Sequence, residues 1–208
     1  MDKAVFPYLL FFIAILIPGL FMQSAFGIIL IAIGAAGFLF TAYFFRDPKR
    51  KIPDDANAIV SPADGKVIAI DTVNDAQIAN AKRISIFMSP FNVHINRAPF
   101  DGEVLEIQHI PGGFKKAFLP EASLENERVE MLLSTPLGKM RIKQIAGIIA
   151  RRIVCRAKVG DKLTKGQKYG LIHFGSRVEI IFLKNVEVVA KPNQIVLGGE
   201  TLLAKWNI

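Results

Sequence analysis

From Ala4 to Phe45 the chain carries no charged residue. A run of that length exceeds the roughly 20 residues that one membrane span needs. Ile17-Pro18-Gly19 and Gln23-Ser24 interrupt it near the middle. The pattern predicts two hydrophobic helices, Val5–Met22 and Ala25–Phe45, joined by a tight turn. A signal peptide in place of the first helix would want a more basic start than Lys3 and a small-residue cleavage site. A single kinked or re-entrant helix is the other arrangement such a run allows.

From Arg46 onward the period changes to that of short strands. Ala58–Val60, Gly65–Asp71, Arg83–Met88, Gly102–His109, Arg128–Ser134, Gly138–Ile145, Val154–Ala157, Gly170–Phe174 and Arg177–Phe182 are rich in β-branched or alternating apolar residues. Turns such as Ser61-Pro-Ala-Asp-Gly65, Ala98-Pro-Phe-Asp-Gly102 and Pro111-Gly-Gly113 separate them. A short helix is expected over Ile145–Ile153. The spacing predicts a mainly β fold, a β-sandwich or partly open barrel, preceded by the N-terminal helical hairpin. Residues 1–45 form the expected membrane anchor and 46–208 the globular domain, long enough for its own core.

Charge adds a direction. The net charge is +8, and Asp2 cancels Lys3, so the whole excess lies in residues 46–208. The basic run Arg46-Asp-Pro-Lys-Arg-Lys51 follows the second apolar segment, which puts that end on the cytoplasmic side of the inner membrane. A basic domain tethered there is drawn to anionic lipid headgroups. Nucleic acid is a poorer partner, because no basic stripe interleaved with aromatics occurs. The one cysteine, Cys155, sits in an apolar stretch and reads as a buried structural thiol.

Three segments carry candidate chemistry. Asp64, in Ser61–Val67, either caps its turn or is a carboxylate that orients a base. His94 lies between two prolines in Met88–Pro99, a setting suited to a rigid loop, and can act as base and acid in successive steps. Gly175-Ser176 precedes an alternating run; a strained Gly–Ser bond lets the hydroxyl attack the preceding carbonyl if a base is near. Pro111–Leu119 sets Phe114, Phe118, Lys115 and Lys116 among glycines, an amphipathic loop suited to a membrane interface or an ordinary surface turn. His94, His109 and His173 show no metal-ligand spacing, so no metal is expected.

Several long motifs occur together: Phe45-Arg-Asp-Pro48, Ser61-Pro-Ala-Asp-Gly-Lys-Val67, Phe87-Met-Ser-Pro-Phe-Asn-Val-His-Ile-Asn-Arg-Ala-Pro99, Glu125-Asn-Glu-Arg128, Gln144-Ile-Ala-Gly147 with its continuation to Cys155, and Phe174-Gly-Ser-Arg177. On these the chain resembles the phosphatidylserine decarboxylase proenzymes, specifically the short branch with one histidine in the loop, over nearly all of residues 45–185. The resemblance implies self-cleavage at Gly175/Ser176 into a β chain, 1–175, and an α chain, 176–208, held as a heterodimer. Ser176 would become a covalent pyruvoyl group, the cofactor, and through a Schiff base to the serine amine of the lipid would release carbon dioxide and leave phosphatidylethanolamine. It assigns Ser176 as nucleophile and pyruvoyl precursor, His94 to proton transfer and Asp64 to orienting the base. The longer branch has a second histidine three positions on, where this chain has Arg97. A guanidinium is no base, but Arg97, with Phe114 and Lys115, is a candidate for binding the substrate's phosphate or carboxylate.

Two other classes compete with this one. Ala157–Tyr169 looks like the turn pattern of lipoyl-type carrier barrels but lacks the lysine at a hairpin tip. A membrane-anchored peptidase fails for want of zinc ligands.

Overall fold

The computed structural model describes residues 5–136, 138–148, 152–173 and 175–206. The chain divides into two compact units, Met1–Pro48 and Lys49–Ile208.

The first unit is a helical pair, α1 (Phe6–Phe21) and α2 (Ala25–Phe44). Helix α1 runs through Pro18 and stops at Met22. Ser24 then caps α2, its hydroxyl accepting from the Gly27 N–H at 3.3 Å. The helices pack closely because small residues line the seam: a methyl group on Gly34 would come within 2.7 Å of Leu16 Cβ. Helix α2 is long and apolar enough to cross a membrane. Helix α1, at 16 residues, rises only about 24 Å and is the shorter of the two.

The second unit is built of strands β1 (Ala58–Val60), β2 (Gly65–Val73), β3 (Ala81–Met88), β4 (Ile95–Arg97), β5 (Gly102–Ile110), β6 (Arg128–Thr135), β7 (Gly138–Ile145), β8 (Ile153–Cys155), β9 (Lys162–Leu163), β10 (Lys168–Ile172), β11 (Ser176–Leu183), β12 (Val186–Val188), β13 (Ile195–Val196) and β14 (Leu202–Trp206). One short helix, α3 (Ala122–Glu125), precedes β6. Eight strands form one sheet, β13-β2-β3-β11-β7-β6-β5-β9, curled into a half-barrel. Two three-stranded sheets, β1-β14-β12 and β4-β10-β8, complete it. The expectation of a mainly β, partly open barrel is met.

Strand β11 is central, paired antiparallel with β3 on one side and β7 on the other. It is buried along nearly its whole length, so both faces are covered. Val178, Ile180 and Phe182 enter the main core with Ile84, Ile86 and Ile142. Arg177 and Glu179 alternate onto the other face, where Leu119 and Ser123 meet them.

Some expectations change. The helix over Ile145–Ile153 is not found where it is described: Ala146–Ile148 is irregular and Ile153 begins β8. Residues 149–151 lie outside the described residues. Strand β8 ends at Cys155 rather than Ala157 and β10 at Ile172; Phe174 also lies outside the described residues. Cys155 is half-buried rather than buried, and burial pushes its thiol pKa up, which keeps it a poor nucleophile.

Candidate active site

Gly175 has φ +62°, in the left-handed region that glycine occupies without penalty. Ser176 follows as the first residue of β11, paired across the ladder with Met88 of β3, and is fully buried. Its Oγ donates to Met88 Sδ at 3.4 Å. A thioether is a weak acceptor, so little holds that hydroxyl in place. The same sulfur receives Asn96 Nδ2 at 3.7 Å, and Asn96 Oδ1 accepts from Gln144 Nε2 at 2.8 Å. The groups joined to that sulfur, among the described residues, are neutral amides.

His94 reaches the same place through a tertiary ladder. Strand β4 pairs with β10, with Ile95 opposite Leu171, and the Ile172 N–H donates to the His94 carbonyl at 3.3 Å. A turn just before it sets the ring. Ser89 donates from its N–H and its hydroxyl to Asn92 Oδ1, each at 2.8 Å, and Pro90 preforms the bend. The Asn92 carbonyl then faces His94 Nδ1 at 2.9 Å. A carbonyl only accepts, so Nδ1 holds the proton and Nε2 the lone pair. Nε2 accepts from the Gly175 N–H at 3.4 Å. The basic nitrogen is thus at the Gly175–Ser176 segment, and the ring is 2% exposed.

Gly147 completes the surroundings. A methyl group there would lie 2.1 Å from the Gly175 carbonyl oxygen, so only glycine admits the chain so close to that carbonyl.

Asp64, which the resemblance assigns to orienting the base, lies in the turn before β2. Its carboxylate accepts from Arg50 Nη2 at 2.8 and 2.9 Å and from the Gly198 N–H at 2.8 Å; none of these bonds goes to the imidazole. The side chains of Arg50 and Asp64 are 6% and 8% exposed. The turn containing Asp64 touches the histidine segment through backbone, because Arg97 N–H donates to the Pro62 carbonyl at 2.9 Å. Arg97 is buried, with Nη1 donating to the Gly166 carbonyl at 3.1 Å.

A largely apolar cleft of about 140 Å³ opens beside Gly175, lined by Phe87, Pro90, Lys116, Ala117, Phe118 and Ile148. Phe118 stands edge-on to Phe87, ring centres 5.7 Å apart. The amphipathic loop thus contributes Lys116 and Phe118 to the cleft. Phe114 and Lys115, expected to bind substrate, do not line it. The Lys115 backbone is clasped on both sides by the Asn126 side chain, and its ammonium pairs with Glu125 at 2.6 Å. A larger hollow of about 530 Å³ among Ala79, Asn80 and Leu183–Asn185 has none of this chemistry beside it.

The sequence reasoning assigned no role to Gly147, Asn92, Asn96 or Gln144. Gly147 had a signal, a lone glycine amid β-branched residues; the others act through contacts that no spacing reveals. Arg50 read as membrane flank and proves to be the partner of Asp64.

Comparison with known proteins shows the family. The family model for phosphatidylserine decarboxylase matches residues 38–204. A phosphatidylserine decarboxylase proenzyme of Chlorobaculum tepidum is 40% identical over 198 residues, 94% of this chain and 91% of the relative. Those of Pelobacter propionicus and Ralstonia nicotianae are 47% and 51% identical, covering 80% and 68% of this chain and 77% and 67% of their own. The matched span runs from α2 to β14 and takes in Ser176, His94, Gly147 and the cleft, so the chain belongs to the phosphatidylserine decarboxylase family.

Proposed function

We propose that this protein cleaves itself between Gly175 and Ser176 and then decarboxylates phosphatidylserine at the membrane surface. One observation carries the reading: a buried serine follows a left-handed glycine, and an imidazole lone pair lies against the same segment.

In self-cleavage, His94 Nε2 takes the Ser176 hydroxyl proton and Oγ attacks the Gly175 carbonyl carbon. His94 passes that proton to the Ser176 nitrogen as the C–N bond breaks, and an ester with a free amine replaces the amide. Loss of the Ser176 α-proton then expels the Gly175 carboxylate as the end of the β chain, leaving dehydroalanine at the start of the α chain. Water adds and ammonia departs, which leaves a pyruvoyl end. Asp64 contributes through backbone: Arg50 and the Gly198 N–H hold its turn, and that turn accepts from the Arg97 N–H. The neutral chain that starts at Ser176, Met88 then Asn96 then Gln144, suits an uncharged carbonyl end.

The pyruvoyl group supplies an electron sink for loss of carbon dioxide from the bound serine headgroup. The chain's own residues bind and position that headgroup. Lys116 is the cation in the cleft and is assigned to the anionic headgroup, while Phe118 and Ile148 meet the start of the acyl region. His94 returns a proton to the carbon that lost carbon dioxide.

The substrate accounts for the anchor. Helix α2, and with it α1, would hold the α and β chains at the inner membrane, on the cytoplasmic side indicated by the basic flank. Arg50 of that flank is drawn to Asp64, which leaves Lys49 and Lys51 as its exposed cations.

Intact mass of the purified protein tests the proposal. Two chains dividing at 175/176, with a carbonyl-reactive α end, are expected; Ser176→Ala should stay whole and inactive. A single uncut chain that still releases carbon dioxide from phosphatidylserine would refute it, and normal processing of His94→Ala would remove His94 from its role.

A further inference from the structure

Two buried side chains on the face of β11 away from the main core tie together segments next to the cut. Arg177, 2% exposed, reaches three segments at once. Its Nη1 donates to the Leu119 carbonyl at 3.2 Å, and its Nη2 donates to Ser85 Oγ at 2.8 Å and pairs with Glu179 at 2.6 Å. Glu179 is fully buried and accepts from Ser85 Oγ at 3.2 Å and, on its other oxygen, from Ser123 Oγ at 2.9 Å. Arg83 closes the network, donating to Ser123 Oγ at 3.2 Å and held from behind by Asp71.

Leu119 and Ser123 belong to the stretch whose Lys116, Ala117 and Phe118 line the cleft at Gly175. The pair Arg177–Glu179 therefore bolts the lining of the cleft to the strand that begins at Ser176. Such a buried ionic network does little for stability compared with apolar packing, so its presence here asks for another reason.

Cleavage supplies one. In the uncut chain, residue 176 is held by its peptide bond to Gly175 and by the ladder. Once cut, it is a chain end, paired with Met88 on one side, while the ladder to β7 begins only at Arg177. Chain ends fray unless tied down. Arg177 is then the first side chain behind that end. We infer that Arg177, braced by Glu179, is a positioning residue of the cleaved enzyme: it holds the new α-chain end and the cleft lining in one register. This rests on the self-cleavage reading. The fork of the guanidinium is what the role needs, because one group must serve three acceptors on three segments.

The test uses full-length Arg177→Lys and Glu179→Gln beside the parent chain. Three quantities are read: extent of cleavage by intact mass, rate of reaction of phenylhydrazine with the carbonyl of the cleaved protein, and kcat and KM on phosphatidylserine vesicles. Both variants are expected to cleave fully, to react with phenylhydrazine roughly tenfold faster because the end is loose, and to lose about 100-fold in kcat with little change in KM. Parental phenylhydrazine rates and kcat in both variants overturn the inference. So does failure of both to cleave while they unfold at the parental temperature, which would make the pair a device of the precursor. If Arg177→Lys does not fold, Glu179→Gln decides, since it keeps shape and an acceptor; if neither folds, the pair is structural and the inference falls. A parent chain that never cleaves shows a different pattern, failing in the control, and overturns the self-cleavage reading itself.

Discussion

The Asn92 carbonyl decides what His94 can do. It fixes the proton on Nδ1 and leaves Nε2 basic toward Gly175. The Asn92 side chain holds that carbonyl in place through Ser89. Asn92→Ala should therefore slow cleavage although it leaves the histidine intact, and a time course of the 1–175 fragment checks it. Gly147 is the sharper case. An added methyl cannot coexist with the Gly175 carbonyl in its present position, and a displacement of about 1 Å costs on the order of 100-fold in a positioned reaction. Gly147→Ala should cleave at least that much more slowly while unfolding near the parental temperature. His94 and Ser176 were legible in the sequence because each residue type carries its chemistry with it. Gly147 and Asn92 were not, because a backbone carbonyl and a missing side chain act only through what lies beside them.

At the scale of elements, the strand bearing Ser176 is gripped on both edges and both faces, and its neighbours are locked by ion pairs. Asp75, in the connection after β2, binds Arg141 of β7 at 2.6 and 3.2 Å. Burial pushes the Asp75 carboxyl up, but Arg141 and the Gln77 N–H outweigh it and hold the pKa below its ordinary value. Glu130 of β6 is likewise lowered against its burial, by Arg128 and Lys143. A carboxylate with a depressed pKa adds stability above its unfolded value, about 4, and that share is lost as pH falls through the folded value. The urea midpoint should thus decline below about pH 4. Asp75→Asn should lower stability at neutral pH by about 2 kcal/mol and flatten that acid decline, as midpoints measured across pH would record. The long strands were legible because their alternation states which face is buried. The short ones β4, β9, β12, β13 and β14 were not, because two to five residues hold no period, and β1 and β8 were legible only through their run of β-branched residues.

Over the whole molecule, the two compact units divide the work. The strand unit contains its own core and every residue of the candidate site. Residues 49–208 alone should fold and cleave, with both fragments visible by mass, yet float poorly with vesicles in a density gradient. Whatever binding to anionic vesicles remains should fall as salt rises, because exposed charges are screened over about 10 Å at 0.1 M salt. Binding insensitive to salt would assign the contact to apolar groups such as exposed Phe118 instead of the basic surface.

Residue order was enough for the apolar run that becomes two helices, the alternating strands of a partly open barrel, and the three segments that bear Asp64, His94 and Ser176. Those follow from local patterns, where the identity of a residue and of its near neighbours sets the outcome. Tertiary structure alone decided that His94 meets Gly175 across 81 positions of chain, that Asp64 pairs with Arg50, and that Lys116 rather than Lys115 faces the cleft. The first depends on ladder register, set by burial of the whole sheet, and the other two on which loops that sheet brings together. A strand shifted by one residue would turn every side chain to its opposite face.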